Sequence, residues 1–220
     1  MTRAVAVLRP EPGNAATAGR LEAIGVSAIR LPLFAVRPLD WSVPDPARFD
    51  ALVLTSANAA RLGGPGLARL AALPAYVVGE ATALAARAAG LTVAMTGDSD
   101  GAALVAAAAD VKRGLLLSGR ERMLDAGGII AEAIAVYASD MLPVADADVN
   151  ALTDAVVLLH SARAARRLSD LIDPARRRTI RVAALSPAIA SAAGSGWESL
   201  QPARTPTDDA LLALARQLAD

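Results

Sequence analysis

The chain has 220 residues, no cysteine, a single histidine and a formal net charge of zero. Because 54% of the residues are apolar, a packed core is expected, and the balanced charge argues against general nucleic-acid binding. The lack of cysteine excludes disulfides, thiolate catalysis and iron–sulfur clusters, and one histidine cannot build a histidine-rich metal site.

The sequence contains no apolar run near the ~20 residues that a membrane helix needs. The first residues also lack the apolar core of a secretory signal, since Pro10, Glu11 and Pro12 interrupt them. We therefore expect a cytoplasmic protein that does not contact membranes.

Short apolar runs alternate with longer helical patterns. Asn14 is the expected N-cap of the first helix, Gly25 its stop, and Thr207 the N-cap of the last helix. Each predicted strand is expected to lead into a helix, which is typical of parallel sheets covered on both faces. Strands are predicted at residues 5–8, 26–33, 52–54, 76–78, 115–117, 156–159 and 182–185, and helices at 14–25, 57–62, 81–89 and 210–219.

Several stretches of the sequence occur twice. Residues 52–60 (LVLTSANAA) resemble residues 157–165 (VLLHSARAA), and each has an apolar run, a polar pair ending in Ser and an Ala-rich helix start. Residues 76–86 resemble 182–193, and residues 5–35 more weakly resemble 115–138. The repetition indicates a duplication that gives two small doubly wound α/β lobes.

The sequence leaves open how the chain divides between these lobes. Extended segments follow the first strand–helix unit and its counterpart, at residues 34–41 and 135–141. If these segments pair as a connector, one lobe is residues 42–134 and the other joins residues 1–33 with 142–220. The alternative is a simple split near residue 125.

Polar residues follow the predicted strands, where open α/β sheets bind their ligands. Backbone N–H groups at helix starts there attract anions, although each Ser could equally be only a helix N-cap. The candidates are Arg9, Ser56–Asn58, Gly79–Thr82, Ser118–Arg120, Ser161–Arg163 and Ser186.

Two familiar chemistries fit the sequence poorly. His160 and Ser161 are neighbours, so on a strand they point to opposite faces, and no Gly-x-Ser-x-Gly surrounds Ser161. No Gly-x-Gly-x-x-Gly opens a helix after a strand, which argues against dinucleotide binding. Tyr137 is a different case, because a phenol can protonate a leaving oxygen at neutral pH, although an ordinary packing role is as good an interpretation.

The ordered motifs resemble the uroporphyrinogen-III synthase family along nearly the whole chain. One departure is Ile189, which stands where the family has the Thr of its second Gly-x-x-Thr-Ala turn. The motifs that carry the resemblance are residues 7–12 (VLRPEP), 55–59 (TSANA), 78–83 (VGEATA), 118–120 (SGR), 136–137 (VY), 161–164 (SARA) and 207–212 (TDDALL).

The resemblance implies two flavodoxin-like doubly wound parallel-sheet lobes joined by a two-stranded connector, with the first lobe built from both chain ends. It implies that the protein cyclises hydroxymethylbilane, with inversion of the terminal pyrrole ring and loss of water, and that Tyr137 is the acid. No cofactor or metal is implied. The residues implied to bind substrate are Arg9, Ser56, Ala57, Asn58, Gly79, Thr82, Gly119, Arg120, Ser161, Arg163 and Ser186.

The expected partners are the substrate and, transiently, the upstream hydroxymethylbilane synthase, and the chain is expected to be a monomer. Two other functions remain open. One is a non-catalytic two-lobed binding module for a carboxylate-rich small molecule, and the other is a nucleotide-dependent α/β enzyme.

Overall fold

A computed structural model describes residues 2–98 and 100–220. Contacts divide the chain into two compact units. Unit 1 runs up to Ala35 and resumes with Met141–Asp220, whereas unit 2 is the continuous segment Val36–Asp140.

Strands and helices alternate along most of the chain, as the apolar pattern predicts, but in two places one strand follows another without a helix between them. The strands are β1 (Val5–Val7), β2 (Ala28–Arg30), β3 (Phe34–Pro38), β4 (Ala51–Leu54), β5 (Ala75–Val78), β6 (Val93–Gly97), β7 (Gly114–Gly119), β8 (Ile130–Met141), β9 (Val156–Leu159), β10 (Arg181–Ala184) and β11 (Ser199–Pro202). The helices are α1 (Gly13–Ala23), α2 (Ala57–Leu62), α3 (Glu80–Ala88), α4 (Gly101–Ala107), α5 (Asp146–Asn150), α6 (Ala162–Leu171), α7 (Pro174–Arg177), α8 (Pro187–Ala192) and α9 (Asp208–Ala219), with 3-10 helices at Pro46–Arg48 and Gly64–Leu70.

Unit 1 is built on a parallel sheet with the strand order β2-β1-β9-β10-β11. Numbered within the unit, this order is 2-1-3-4-5, which is that of flavodoxin-like folds. Alternate residues of β1 enter separate cores on the two faces, Ala6 on one and Val5 and Val7 on the other. The predicted doubly wound fold is confirmed for this unit.

Unit 2 has the same strand order started from a different point. Its sheet runs β3-β8-β7-β4-β5-β6. If β7, β8, β4, β5 and β6 are numbered 1 to 5, their order across the sheet is again 2-1-3-4-5. Strand β3 is added beyond β8. Strand β4 thus corresponds to β9, and β5 to β10, which is the pairing that the repeated sequences predict.

The two predicted connector segments lie on adjacent strands. Leu39 donates its N–H to the carbonyl of Val136, and Leu142 donates to the carbonyl of Leu33. The order of these partners shows that β3 and β8 run antiparallel. The segment predicted at residues 135–141 is the second half of the longer strand β8, whose first half pairs with β7.

Two local predictions are wrong. A helix was expected after the strand at 115–117, but residues 120–129 form a loop that leads directly into β8. The loop contains Gly127 and Gly128, both at positive φ, a backbone conformation that a right-handed helix does not have. The corresponding connection in unit 1 contains α1.

The second error concerns Asn14, the expected N-cap of the first helix. The helix begins at Gly13, after Pro12. The buried amide of Asn14 instead donates to the carbonyls of Val7 and Arg9, at 2.7 and 3.1 Å. Asn14 therefore satisfies carbonyls at the end of β1.

Candidate functional site

Unit 2 has a cavity of about 510 Å³ at the carboxyl ends of its strands. The position is the switch point of the sheet, because β7 leads to β8 on one side and β4 leads to β5 on the other. Ligands of open α/β sheets bind at such points. The cavity is lined by Thr55, Ser56, Val78, Asp100, Gly101, Ala102, Ser118, Gly119, Glu121, Arg122, Met123, Leu124 and Tyr137.

Two helices begin at the cavity, and each is capped by a side chain that lines it. Ser56 Oγ accepts the N–H of Asn58 at 3.2 Å at the start of α2. Asp100 Oδ1 accepts the N–H of Ala103 at 2.9 Å at the start of α4. Both caps hold the adjoining turns in place against the cavity.

Tyr137 reaches the cavity through an irregularity in β8. The register between β7 and β8 pairs Ser118 with Ala135 but Gly119 with Tyr137, which leaves Val136 as an extra residue. A β-bulge of this kind redirects side chains. As a result, Val136 and Tyr137 both pack against the same core, although neighbours on a regular strand alternate faces.

Four of the predicted candidate residues line this cavity: Ser56, Ser118, Gly119 and Tyr137. Other predicted residues of unit 2 are close in sequence but do not line it. Thr82 is only 4% exposed, inside the first turn of α3. Arg120 forms an ion pair with Asp140, which also accepts a hydrogen bond from Arg37 at 2.7 Å. The remaining residues of this group are Ala57 and Asn58 at the start of α2, and Gly79, which precedes α3 with a φ of 79°.

The other predicted residues belong to unit 1. Ser161 caps α6 and Ser186 caps α8, each by accepting a backbone N–H. The Arg163 guanidinium carbon lies 4.3 Å from the ring centroid of Phe34. Ile189, at the departure from the family pattern, packs partly buried against the core.

The switch point of unit 1 is occupied by side chains of its own. It lies between β1 and β9, where Arg9 Nη1 contacts Asp208 Oδ2 at 2.9 Å. His160 lies beside this pair, with its Nε2 3.6 Å from Asp208 Oδ1. Arg9, predicted to bind substrate, is thus paired with an internal carboxylate.

His160 is buried in this cluster. Within the described residues, neither ring nitrogen has a hydrogen-bond partner. Burial, together with the charge of Arg9, lowers the pKa of His160 to about 4, and the opposing charge of Asp208 only partly offsets this. His160 is therefore neutral at pH 7, and since neither ring nitrogen is hydrogen-bonded to a described residue, it does not bond Ser161 in this structure.

Sequence reasoning missed the far wall of the cavity, formed by Asp100, Glu121 and residues 122–124. Asp100 carried a usable signal, since an Asp before an apolar helical run is a typical N-cap. The loop carried none, because a helix was predicted in its place.

Comparison with known proteins gives a consistent result. The sequence model described as "Uroporphyrinogen-III synthase HemD" matches residues 15–213. The chain belongs to the uroporphyrinogen-III synthase family. Membership identifies a cyclising enzyme of tetrapyrrole biosynthesis. Among curated proteins, none matches the sequence significantly.

Solved structures of uroporphyrinogen-III synthases share the fold. The Helicobacter pylori protein is 18% identical with a TM-score of 0.66, over 98% of this chain and 99% of that chain. A mutant of the Thermus thermophilus protein is 14% identical with a TM-score of 0.57, over 98% of each chain. These similarities confirm the predicted two-lobed architecture.

Two further observations concern the described residues. No helix among residues 2–98 and 100–220 is long and apolar enough to cross a bilayer. The same residues contain no cluster of three or more His, Cys, Asp or Glu side chains suited to a metal ion.

Proposed function

We propose that the cavity of unit 2 holds the terminal hydroxymethyl-pyrrole of hydroxymethylbilane and that Tyr137 is the general acid. The observation that carries this proposal is the bulge in β8, which brings the Tyr137 phenol to a cavity at the switch point. A positioned phenol can donate a proton to a leaving oxygen without any cofactor.

The proposed chemistry balances within the substrate and this one side chain. The carbon–oxygen bond of the hydroxymethyl group breaks, and the Tyr137 proton leaves with the oxygen as water. The pyrrole nitrogen lone pair stabilises the cation that remains. The cation bonds to the carbon of the opposite terminal pyrrole that already carries a methylene bridge, and that bridge bond then breaks. The bridge re-forms at the free α-carbon of the same ring, which inverts the ring, and the proton lost from this carbon restores the phenol. The net change is loss of one water, so we class the enzyme as a hydro-lyase.

We further propose that the predicted polar residues bind the acetate and propionate groups of the substrate. Ser56 and Gly119 already face the cavity. Arg9 and Arg120 are held by Asp208 and Asp140, so each would exchange an internal carboxylate for one of the substrate. Asn58, Thr82, Ser161, Arg163 and Ser186, with the turns at Ala57 and Gly79, stay predicted contacts.

We also propose that the protein acts as a monomer. A cytoplasmic location and substrate delivery by the upstream hydroxymethylbilane synthase are part of the same proposal. Light scattering of the purified protein, alone and mixed with that synthase, measures both associations.

The isomer produced from fresh hydroxymethylbilane tests the function. The enzyme should yield mainly the type III isomer. Type I alone would reject the proposed function, and tight tetrapyrrole binding without turnover would favour the binding module.

Tyr137→Phe should lower kcat at least about tenfold with an unchanged melting temperature. The matched control is Tyr76→Phe, because Tyr76 lies on the other face of the sheet and bonds Asp110. Normal turnover by folded Tyr137→Phe would exclude Tyr137 as the acid.

A further inference from the structure

Among the described residues that line the cavity of unit 2, Arg122 is the one with a cationic side chain. Its side chain is 24% exposed, whereas the other ion-paired arginines described in this unit are 47–61% exposed. The guanidinium is therefore held in the wall of the cavity, and it keeps the planar donor fork that suits carboxylates.

The ion pair that Arg122 makes is easily exchanged. Its Nη2 donates to Asp125 Oδ1 at 2.9 Å, and the Asp125 side chain is 67% exposed. Water competes for such an exposed carboxylate, so the pair is weak. Asp125 does not depend on Arg122 for its position, because the same oxygen accepts the N–H of Ala126 at 2.9 Å.

The other described side chains that line the cavity are neutral or acidic. Thr55, Ser56, Ser118 and Tyr137 supply neutral hydroxyls, while Asp100 and Glu121 are acidic. Glu121 is already paired, with its Oε1 3.6 Å from Arg120 Nε, and Asp100 caps α4. A pyrrole with acetate and propionate groups brings further negative charge beside these acids, so a cation in the lining favours its binding.

We propose that Arg122 binds a carboxylate of the terminal pyrrole ring by exchanging Asp125 for it, which rests on the proposed function of the cavity. The exchange orients this hydroxymethyl-bearing ring relative to Tyr137, so that the cation formed on it meets the opposite terminal ring in the arrangement that leads to inversion of that ring. Arg122 is then a specificity-determining residue, and Asp125 is its internal competitor.

Substituting Arg122 and Asp125 in turn distinguishes this role from that of an ordinary surface ion pair, because the two changes should affect KM differently. Arg122→Gln should raise KM for hydroxymethylbilane roughly tenfold or more and increase the share of the type I isomer. Asp125→Asn keeps an oxygen for the Ala126 N–H but removes the competing charge, so it should lower KM or leave it unchanged. A purely structural pair would make both variants change KM in the same direction.

Arg113→Gln is the matched control, because Arg113 is an exposed arginine of the same unit outside the cavity. It should leave KM and the isomer ratio at wild-type values, and Arg122→Lys should recover part of the affinity. If wild type yields only the type I isomer, the proposed function fails. If wild type yields type III and folded Arg122→Gln keeps KM within about twofold of it, the function stands and this inference is overturned.

Discussion

The ring of Tyr137 lies directly against the backbone of Gly119. A methyl group at Gly119 would come 2.9 Å from Cζ, which is closer than real carbon contacts allow, and 3.0 Å from the hydroxyl oxygen, which is tighter than most of them. The absence of a side chain at Gly119 is therefore what lets the phenol reach the end of β7.

Gly119→Ala should consequently displace the Tyr137 ring. We expect kcat to fall at least about tenfold, comparable to removal of the hydroxyl, while the far-ultraviolet circular dichroism stays unchanged. Gly19→Ala is the control, because Gly19 lies in α1 and a methyl group there would have open space within 4 Å. It should raise the free energy of unfolding by ~0.5–1 kcal/mol and leave turnover normal.

The buried His160 makes stability depend on pH. Its pKa of about 4 in the folded state lies below the unfolded value of 6.5, so the unfolded chain binds the extra proton first as pH falls. The free energy of unfolding should therefore drop by roughly 3 kcal/mol between pH 7 and pH 4 from this group. Urea unfolding of wild type and His160→Asn at several pH values isolates the contribution.

The same histidine can be followed directly, because the chain contains only one. Its Cε1 proton should titrate near pH 4 in the nuclear magnetic resonance spectrum, since Arg9 and the surrounding core disfavour the charged ring and Asp208 compensates only in part. A midpoint near 6.5 would contradict the buried, unpaired state.

Asn14→Ala should destabilise unit 1 markedly. The side chain is fully buried, donates to Val7 and Arg9, and accepts a hydrogen bond from Arg30 Nε at 3.0 Å. Its removal leaves buried polar groups without their hydrogen bonds, which should lower the free energy of unfolding by ~2–4 kcal/mol. Asn150→Ala, at the exposed end of α5, should cost less than about 0.5 kcal/mol in the same chemical denaturation experiment.

Tyr76 should ionise only in strong alkali. Its hydrogen bond to Asp110, then burial and the negative charges of Asp110 and Asp50, raise the pKa of this phenol to about 12. In Tyr137→Phe, where Tyr76 is the remaining tyrosine, the tyrosinate absorbance should appear near pH 12, and adding Asp110→Asn should lower that midpoint. Because the unfolded chain loses the proton first, stability should decline above pH 10.

Local patterns predicted most of the strands and helices because each apolar run carries its own period. Gly25 ends α1 at a φ of 77°, and Thr207 caps α9 by accepting the N–H of Ala210, as their residue types indicate. The same reasoning gave a wrong prediction for Asn14. Its side chain donates to carbonyls at the end of the preceding strand and does not accept N–H groups of its own helix.

The candidate site was predictable only in part, for a geometric reason. The Ser56 turn and Tyr137 carried recognisable motifs, but their meeting depends on the pairing of β4 with β7 and on the bulge in β8. Strands β4 and β7 are buried runs without polar alternation, so their apolar pattern does not mark which strands pair or where the bulge lies. Arg122 was not predicted as a site residue, because it lies in a loop at a position where the duplication suggested a helix.

The insertion of unit 2 within unit 1 affects how the chain emerges from the ribosome. Unit 2 is continuous and is complete once Asp140 has been made, whereas β1 must wait for β9 to pair with it. At ~5–20 residues per second, the nascent chain exposes the apolar β1 for several seconds after Ala35 is made. Strand β2 can already cover one edge of β1, but the edge that β9 covers stays open during this time. An open apolar strand edge invites aggregation, so chaperone demand during translation should fall mainly on the first 35 residues.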